Sequence, residues 1–235
     1  MTNKKAKIIK QTQPEPIFDL QPHDIDALAD TLASFAGGNK FIARMATTSP
    51  RGKKGLKLTY QFKIKLRGIS KPPVWRRVLV PANFTFSGFH AVIQKAFGWW
   101  KEHLYCFSDG PYCRMLNIAE VREDDWGNAP DFDARKFTLG EFYGEKLNPK
   151  HKLCYVYDFG DDWIHDITLE DIIEELHPHA SCTAGKGACP EEDCGGPWGY
   201  EDMKENGEID DPKFFDLEAA KASVEKVEPE GYEPW

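Results

Sequence analysis

No apolar run in this sequence of 235 residues approaches the roughly 18 residues that a membrane-spanning helix needs, so we expect no contact with a membrane. The charged start, residues 1–7, is not followed by an apolar stretch and does not resemble a secretory signal. The phosphate loop of nucleotide-binding proteins, the Gly-x-Ser-x-Gly nucleophile elbow and the His-Glu-x-x-His zinc helix are also missing. These absences argue against three common enzyme classes and favour a cytoplasmic location.

Cysteines and aromatic residues, by contrast, are well represented. In a reducing cytosol the six cysteines are expected to be thiols or metal ligands rather than disulfides. Hydrophobic residues make up 41% of the sequence and aromatic residues 13%, which is enough for a packed core and excludes wholesale disorder. At about 150 residues per domain, the length predicts one domain with an appendage.

Charge is unevenly distributed along the chain, whose formal net charge is −8. Residues 1–57 contain 10 Lys/Arg and 5 Asp/Glu, a net of +5, whereas the remainder contains 20 and 33, a net of −13. An acidic domain repels phosphate backbones. We therefore expect any binding of nucleic acid to go through the basic N-terminal arm alone.

Three segments can be distinguished along the chain. Residues 1–57 are predicted to form a partly flexible arm with one helix, Asp24–Phe35, and a basic linker, 47–57. Residues 58–227 are predicted to form the folded domain. Residues 228–235 are expected to be a flexible acidic tail.

The folded domain shows the patterns of strands and helices together. Strict alternation over Leu58–Arg67 predicts a strand with one buried face, which is typical of an antiparallel sheet. Further predicted strands are Val74–Val80, His103–Phe107 and Cys113–Leu116, with a hairpin from Leu153–Asp158 and Trp163–Leu169. Two predicted helices begin at the N-caps Ser87 and Thr138, and a third spans Phe214–Val227. Residues 177–200 are predicted to be irregular. The predicted fold is α+β, with a mainly antiparallel sheet and helices packed on one face.

A Gly-rich stretch near the end of the domain contains three cysteines and is preceded by two histidines. Zinc binds four thiolate or imidazole ligands in a tetrahedron, so this stretch is a candidate zinc site. The candidate ligands are Cys182, Cys189, Cys194 and His179. Their Cys-x6-Cys-x4-Cys spacing is not the tight Cys-x2-Cys knuckle. Two alternatives therefore stay open: small buried thiols that pin the loop, and a redox-active pair.

Carboxylates and one imidazole surround the turn of the predicted hairpin. Such groups can hold a divalent ion or serve as general acid and base. The residues are Asp158, Asp161, Asp162 and His165. Strand alternation places His165 on the apolar face with Trp163, so a partly buried histidine bonded to a nearby carboxylate is the alternative. For the two consecutive aspartates the alternative is an ordinary turn.

A third group combines aromatic and basic residues, among them Trp75, Arg76 and His103. An arginine beside a tryptophan can stack on a base or on another partner. The alternative is a core tryptophan covered by arginine stems. We count these three residues, with the hairpin carboxylates, as candidates for one polar pocket.

Four motifs in a fixed order carry a family resemblance. They are Ile69–Val78 (ISKPPVWRRV), Phe97–Trp99 (FGW), Tyr157–Trp163 (YDFGDDW) and Cys189–Gly196 (CPEEDCGG). In this order they resemble the plasmid pRiA4b ORF-3-like family, whose members are also described as transposon passenger proteins of a TnpR type. The resemblance runs from about residue 58 to residue 215. It implies an α+β domain of mobile-element origin, and it brings no established activity.

Two departures and one absence qualify what the resemblance implies. Glu191 stands where members often have a second proline, and Tyr105 follows His103-Leu104 where members often read His-Leu-His. If that histidine pair binds a metal in relatives, one ligand is missing in this chain. The TnpR label suggests a resolvase, but the sequence has no nucleophilic serine with a cluster of arginines around it.

Three functional hypotheses follow from the sequence. The first is a binding or accessory protein, rather than an enzyme, whose Gly/Cys stretch and acidic hairpin turn form one polar pocket that binds zinc. The second is a metal-dependent hydrolase or nuclease that uses the Asp/His residues. The third is a DNA-associated accessory protein that uses the N-terminal arm as a tether. The first requires the Gly/Cys stretch and the acidic turn to be neighbours in the folded chain.

Overall fold

The computed structural model describes residues 52–111, 116–122, 129–148 and 152–231. The predicted helix Asp24–Phe35 lies outside these ranges, as does the rest of the predicted basic arm up to residue 51. Within the described ranges, no helix has the length and apolar character needed to cross a membrane.

Eight strands form one sheet in the order β5-β4-β3-β6-β7-β1-β2-β8. Every pairing is antiparallel except that of β4 with β5, which is parallel. The strands are β1 Thr59–Leu66, β2 Trp75–Pro81, β3 Tyr105–Ser108, β4 Asn117–Ala119, β5 Phe132–Asp133, β6 Leu153–Tyr157, β7 Trp163–Ile173 and β8 Ser181–Lys186. The predicted antiparallel α+β class is confirmed. The predicted strand Cys113–Leu116 falls mostly on residues outside the described ranges, and β4 begins after it.

The alternation that predicts β1 and β7 is visible in their burial. In β1 the side chains of Tyr60, Phe62, Ile64 and Leu66 are buried. The alternating residues are half-buried at Gln61 and Lys63 and exposed at Lys65. β1 pairs with β2 on one side and with β7 on the other. A strand in this central position has both edges hydrogen-bonded, so the apolar face alone decides which side faces the core.

Four helices accompany the sheet in the described part of the chain: α1 Phe86–Phe97, α2 Leu139–Tyr143, α3 Gly196–Glu205 and α4 Leu217–Val224. The predicted cap of α1, Ser87, is wrong. Thr85 caps this helix by accepting from the Gly88 N–H at 3.0 Å, whereas the Ser87 hydroxyl donates to Glu120. The capping box predicted at Thr138 is present, with Glu141 completing it.

The stretch predicted as irregular, residues 177–200, contains two regular elements. β8 pairs antiparallel with β2, and the Gly-rich sequence then opens α3 at Gly196, with Pro197 in its first turn. Glycine is unfavourable in both helices and strands, so pairing with β2 and packing determine these elements rather than local propensity.

The core lies between the sheet and the first two helices. Phe62 of β1 contacts Phe89 of α1 at 4.8 Å between ring centroids and Tyr143 of α2 at 5.0 Å. α1 and α2 therefore cover the same face of the sheet, and α4 packs on α1 and on β8. Aromatic rings of this size each bury a large apolar area, which makes this layer the main source of stability.

Both ends of the described domain are more ordered than predicted. In the predicted linker, the Gly52 N–H donates to the Glu141 carbonyl at 2.9 Å, and Leu56 is buried. In the predicted acidic tail, the Pro229 carbonyl accepts from the Thr85 N–H at 2.9 Å. The tail residues 232–235 lie outside the described ranges.

Candidate functional site

The turn between β6 and β7, Asp158–Asp162, is here called the acidic turn. Asp158 and Asp162 both have φ 54°, a left-handed conformation that aspartate tolerates better than most residues. The Asp158 carboxylate accepts from the Gly160 N–H at 2.9 Å, and the Asp158 N–H donates to the Leu104 carbonyl at 2.9 Å. These bonds fix the Asp158 carboxylate beside the segment that precedes β3.

Residues 187–195, here called the Cys–Gly loop, pack directly against the acidic turn. The Gly195 N–H donates to Asp161 Oδ2 at 3.1 Å. A Cβ on Gly196 would lie 2.4 Å from the Asp161 carbonyl oxygen, so only glycine permits this close approach. The predicted proximity of the two segments is therefore confirmed.

Their contact brings together one histidine and two carboxylates, here called the His–Asp cluster: His103, Asp158 and Asp193. His103 Nε2 lies 3.2 Å from Asp193 Oδ1 and 3.7 Å from Asp158 Oδ2. The three ligand atoms all lie within 4.8 Å of one another. His103 Nε2 is shielded from solvent and makes no hydrogen bond with the described chain. A histidine nitrogen without a bond, faced by two carboxylates, is the arrangement that a cation would complete.

Tyr157 holds the backbone around His103 in place. Its hydroxyl accepts from the Glu102 N–H at 3.1 Å and donates to the Glu192 carboxylate. Glu192 in turn accepts from the Trp100 N–H at 2.9 Å. Burial, with Glu192, raises the pKa of Tyr157, so this hydroxyl stays a donor throughout the ordinary pH range. The Cys–Gly loop is thereby tied to the His103 segment as well as to the acidic turn.

His165 does not take part in this site. It shares the buried face of β7 with Trp163, as strand alternation predicts, and its ring meets Phe97 edge-on with centroids 5.0 Å apart. Its Nδ1 lies 3.0 Å from the Trp163 carbonyl oxygen, so the partner is backbone rather than the carboxylate we expected. Burial lowers the pKa of His165 to about 3. Because the ring is fully buried among Phe97 and Trp99, His165 is a core residue and not part of a site at the acidic turn.

Arg76 is likewise a core residue and not part of the polar pocket predicted for it. Its guanidinium donates to the carbonyls of Ala96, Trp75, Lys186 and Gly187 at 2.9 to 3.1 Å. It also lies over the rings of Phe97 and Phe215. All of its donor nitrogens are engaged, so Arg76 joins β2, α1 and the start of the Cys–Gly loop rather than binding a ligand.

Trp75 belongs to the opposite face of the sheet. The Lys63 ammonium lies 4.8 Å from the centroid of its ring, and the Arg77 guanidinium lies 5.4 Å from it. Since β1 separates β2 from β7 in the sheet, these contacts lie away from the acidic turn. The alternative interpretation, a core tryptophan covered by arginine stems, fits in part: Arg77 lies over the ring, but Trp75 is half-buried and not a core residue.

The four predicted zinc ligands do not come together. Cys182 is buried, Cys189 and Cys194 are partly buried, and His179 is exposed. In the described part of the chain, the His–Asp cluster is the one group of three such ligands within 4.8 Å of one another. Burial raises the pKa of Cys189 to about 12 and that of Cys194 to about 11, so both thiols are protonated at neutral pH. They pack against the core as small apolar groups.

The two other predicted carboxylates have different surroundings. The Asp161 carboxylate accepts from the Gly195 N–H. Asp162 lines a cleft that His103 also lines. Asp193 was missed as a candidate although it lies inside the CPEEDCGG motif. The signal that could have identified it is the predicted contact between that motif and the acidic turn, because the contact requires some loop side chain to face Asp158.

The fold and the site define an α+β domain in which a Cys/Gly-rich loop and an acidic β-turn enclose a His–Asp cluster. Residues 58–233 match the family described as plasmid pRiA4b ORF-3-like protein, and the chain belongs to this family.

Two relatives extend this comparison. The chain is 36% identical over 137 residues to the uncharacterized protein y4hQ of Sinorhizobium fredii (strain NBRC 101917 / NGR234), a match that covers 57% of this chain and 66% of that protein. It is also similar to the crystal structure of MM3350, a protein of unknown function from Methanosarcina mazei Go1. The TM-score is 0.59 at 34% identity, over 71% of this chain and 98% of that one. Neither relative has an assigned activity, so the site itself is the basis for a function.

Proposed function

We propose that this domain is a zinc-binding protein whose ligands are His103, Asp158 and Asp193. The supporting observation is the spacing of their ligand atoms. Four ligands about 2.1 Å from a tetrahedral zinc ion lie about 3.4 Å from one another. The distances from His103 Nε2 to Asp193 Oδ1 and Asp158 Oδ2, 3.2 and 3.7 Å, bracket that value.

The kinds of ligand favour zinc over the other common divalent ions. Calcium and magnesium prefer oxygen ligands alone, whereas imidazole nitrogen suits zinc and later transition metals. Asp158 is 12% exposed and its turn is fixed by hydrogen bonds, so it gives the site a rigid ligand. Asp193, at 69% exposed, is the ligand through which solvent reaches the metal.

The experiment is a zinc titration of the chelator-treated full chain, read by competition with a chromophoric chelator. We expect one site, and His103→Gln or Asp158→Asn to weaken it by more than about a hundredfold, the upper range for residues that only support a ligand. Asparagine at 158 can still accept from the Gly160 N–H, so the turn should survive this substitution.

Matched controls separate this site from the cysteine set predicted from the sequence. His179→Gln and Asp210→Asn replace exposed residues outside the cluster and should leave the affinity unchanged. Cys189→Ser should also leave it unchanged. If it abolishes zinc binding while His103→Gln does not, the cysteines are the ligands and the proposal is wrong.

A metal-dependent hydrolase is the second candidate, and one observation favours it. The cluster offers three protein ligands, which is the number found in catalytic zinc sites that keep a fourth position for water. His103 also lines an open cleft, so a substrate could approach that position. Hydrolysis of model phosphodiesters and esters by the zinc-loaded chain, lost in Asp158→Asn, would support it.

The remaining hypotheses keep the status of predictions. A mobile-element origin, a cytoplasmic location and tethering to DNA through the basic N-terminal arm rest on the sequence. Residues 1–51 of the arm fall outside the described ranges, and the site described above gives no support to a DNA-bound role.

A further inference from the structure

A cleft of about 780 Å³ lies beside β3, next to the His–Asp cluster. Its lining includes His90 of α1, Tyr105 of β3, Lys101, Glu120 and Arg135. This volume is within the range of small-molecule sites, about 300 to 1,000 Å³. Of these residues His90 is the most unusual, because it is a titratable side chain with only 5% of its surface exposed.

The His90 ring is held rigidly at the wall of the cleft. It stacks on Tyr105 with ring centroids 3.7 Å apart and an angle of 5° between the planes. Its Nδ1 lies 2.6 Å from the Tyr155 hydroxyl. Its other nitrogen, Nε2, makes no hydrogen bond with the described chain, and it is not among the polar atoms sealed from solvent. Nε2 is therefore the polar atom that His90 offers to the cleft.

A chain of hydrogen bonds determines which nitrogen of His90 carries the proton. The Lys101 N–H donates to Gln94 Oε1 at 3.1 Å, which leaves Gln94 Nε2 to donate to the Tyr155 hydroxyl at 2.9 Å. The Tyr155 hydroxyl accepts this hydrogen bond, and since His90 Nδ1 is its other described partner, we assign the hydroxyl proton to the bond with Nδ1. Since Nδ1 accepts, the neutral imidazole carries its proton on Nε2. The chain thus presents an N–H donor at the cleft.

The charges around this donor favour a negatively charged ligand. The neighbouring charge that acts on His90 is the Lys101 ammonium, and together with burial it lowers the pKa of His90 well below its ordinary value. The Lys101 ammonium donates to the Gly231 carbonyl at 3.2 Å, and both residues line the cleft. Glu120 is a carboxylate in the same cleft, but it accepts from the Tyr105 and Ser87 hydroxyls and interacts with Arg135.

Two further carboxylates, Asp162 and Glu230, also line the cleft. Arg122 adds a further guanidinium to the same lining. The cleft therefore combines the His90 Nε2–H donor with the cationic side chains of Lys101, Arg122 and Arg135.

We propose that this cleft binds a small organic anion, one carboxylate or phosphate oxygen of which accepts from His90 Nε2–H beside the Lys101 ammonium. Tyr155 and Gln94 are positioning residues, since they hold the proton of His90 on the nitrogen that faces the ligand. This proposal does not rest on a metal at the His–Asp cluster.

The test uses the chelator-treated, ¹⁵N-labelled full chain, with benzoate and inorganic phosphate as separate probes. Histidine-side-chain ¹H–¹⁵N spectra should show His90 as the Nε2–H tautomer before any addition. A probe that fits should move the His90 Nε2 resonance saturably, with a dissociation constant of about 1 mM. A response to benzoate alone identifies a carboxylate site, and a response to phosphate alone identifies a phosphate site.

Substitutions then test the two named groups. Lys101→Met should weaken binding about tenfold, as expected for the loss of one charged partner, and Lys213→Met, on an exposed lysine outside the cleft, should not. His90→Phe keeps the ring stacked on Tyr105 and should abolish binding without changing zinc affinity. The proposal is wrong if neither probe at about 20 mM shifts the His90 Nε2 resonance, or if the tautomer is Nδ1–H. Both measurements are made on the unsubstituted chain.

Discussion

Two polar centres in the described part of the domain, the His–Asp cluster and a buried centre at Arg76 and His165, differ in their surroundings. In the His–Asp cluster, the His103 nitrogen faces two carboxylates and makes no hydrogen bond. In the buried polar centre, Arg76 and His165 both contact the Phe97 ring, and their described partners are backbone carbonyls. Carboxylates carry net charge, whereas the backbone carbonyls that Arg76 engages are neutral.

The difference shows that burial, more than residue type, decides what a basic side chain can do. The buried centre is closed: Arg76 already supplies the one positive charge, and His165 is held neutral. The cluster is open, because two carboxylates face the His103 nitrogen and one of them, that of Asp193, is exposed to solvent. We therefore expect the cluster to take up a cation, and the buried centre to contribute to stability instead.

The largest effect is expected from Arg76→Met. The substitution keeps the apolar stem but removes one hydrogen-bond donor from each of four carbonyl oxygens, at about 1 kcal/mol each, so the free energy of unfolding should fall by about 4 kcal/mol. Denaturant titration measures this. Arg77→Met on the same strand removes a partly exposed ion pair with Glu170 and should cost about 1 kcal/mol or less. Equal losses for the two variants would show that the buried centre is not special.

Protonation of His165 is expected to lower the free energy of unfolding by about 3 kcal/mol at acidic pH. Its folded pKa, about 3, lies below its unfolded pKa of about 6.5, so between these values the unfolded chain binds one proton more. Its contribution to stability is therefore fully present above about pH 6.5 and is lost progressively as pH falls toward 3. By pH 4 the loss amounts to about 3 kcal/mol, at about 1.4 kcal/mol per pH unit.

The measurement is the free energy of unfolding at a series of pH values for the unsubstituted chain and for His165→Phe. The variant should show a shallower slope below pH 6.5, while His179→Phe, on an exposed histidine, should keep the full slope. An unchanged slope in His165→Phe would mean that this histidine is protonated in the fold.

Zinc should raise the free energy of unfolding by about 2.7 kcal/mol when the His–Asp cluster is intact. A ligand that binds only the folded state at a hundred times its dissociation constant stabilises it by that amount. We expect the unsubstituted chain and His165→Phe to gain this stability when zinc is added, and His103→Gln to gain none. Thermal unfolding with and without zinc gives the answer. A gain in His103→Gln equal to that of the unsubstituted chain would place the metal elsewhere.

Much of the fold could be predicted because it follows local patterns. Alternation over Leu58–Arg67 and around the hairpin predicts β1, β6 and β7, and the same alternation correctly places His165 on the apolar face. The Thr138 capping box needs only residues three positions apart. β8 and α3 were missed because their Gly-rich sequences acquire regular structure only through contacts with distant strands.

The candidate site was predicted in part, for a related reason. Its neighbourhood followed from two motifs, but the ligand set required knowing which side chains meet across loops. His103, Asp158 and Asp193 come from three separate segments, and no periodic pattern links them. Cysteines suggested zinc by residue type, yet burial of Cys189 made it a packing residue.

The smallest effect, about 2 kcal/mol, is expected from Gly196→Ala, which tests whether the loop contact builds the cluster. Gly196 has φ 68°, and an added Cβ would lie 2.4 Å from the Asp161 carbonyl oxygen. Gly207 has φ 73° with nothing within 4 Å of its Cβ position, so Gly207→Ala carries only the backbone cost, about 1 kcal/mol. Gly196→Ala should lower the free energy of unfolding further, because the steric clash is added to the backbone cost. The clash pushes the Cys–Gly loop from the acidic turn and moves Asp193 away from His103. Zinc affinity should therefore fall in Gly196→Ala and not in Gly207→Ala. If both variants keep full affinity, Asp193 reaches the metal without the loop contact, and the rigidity of the cluster comes from Asp158 and Tyr157 alone.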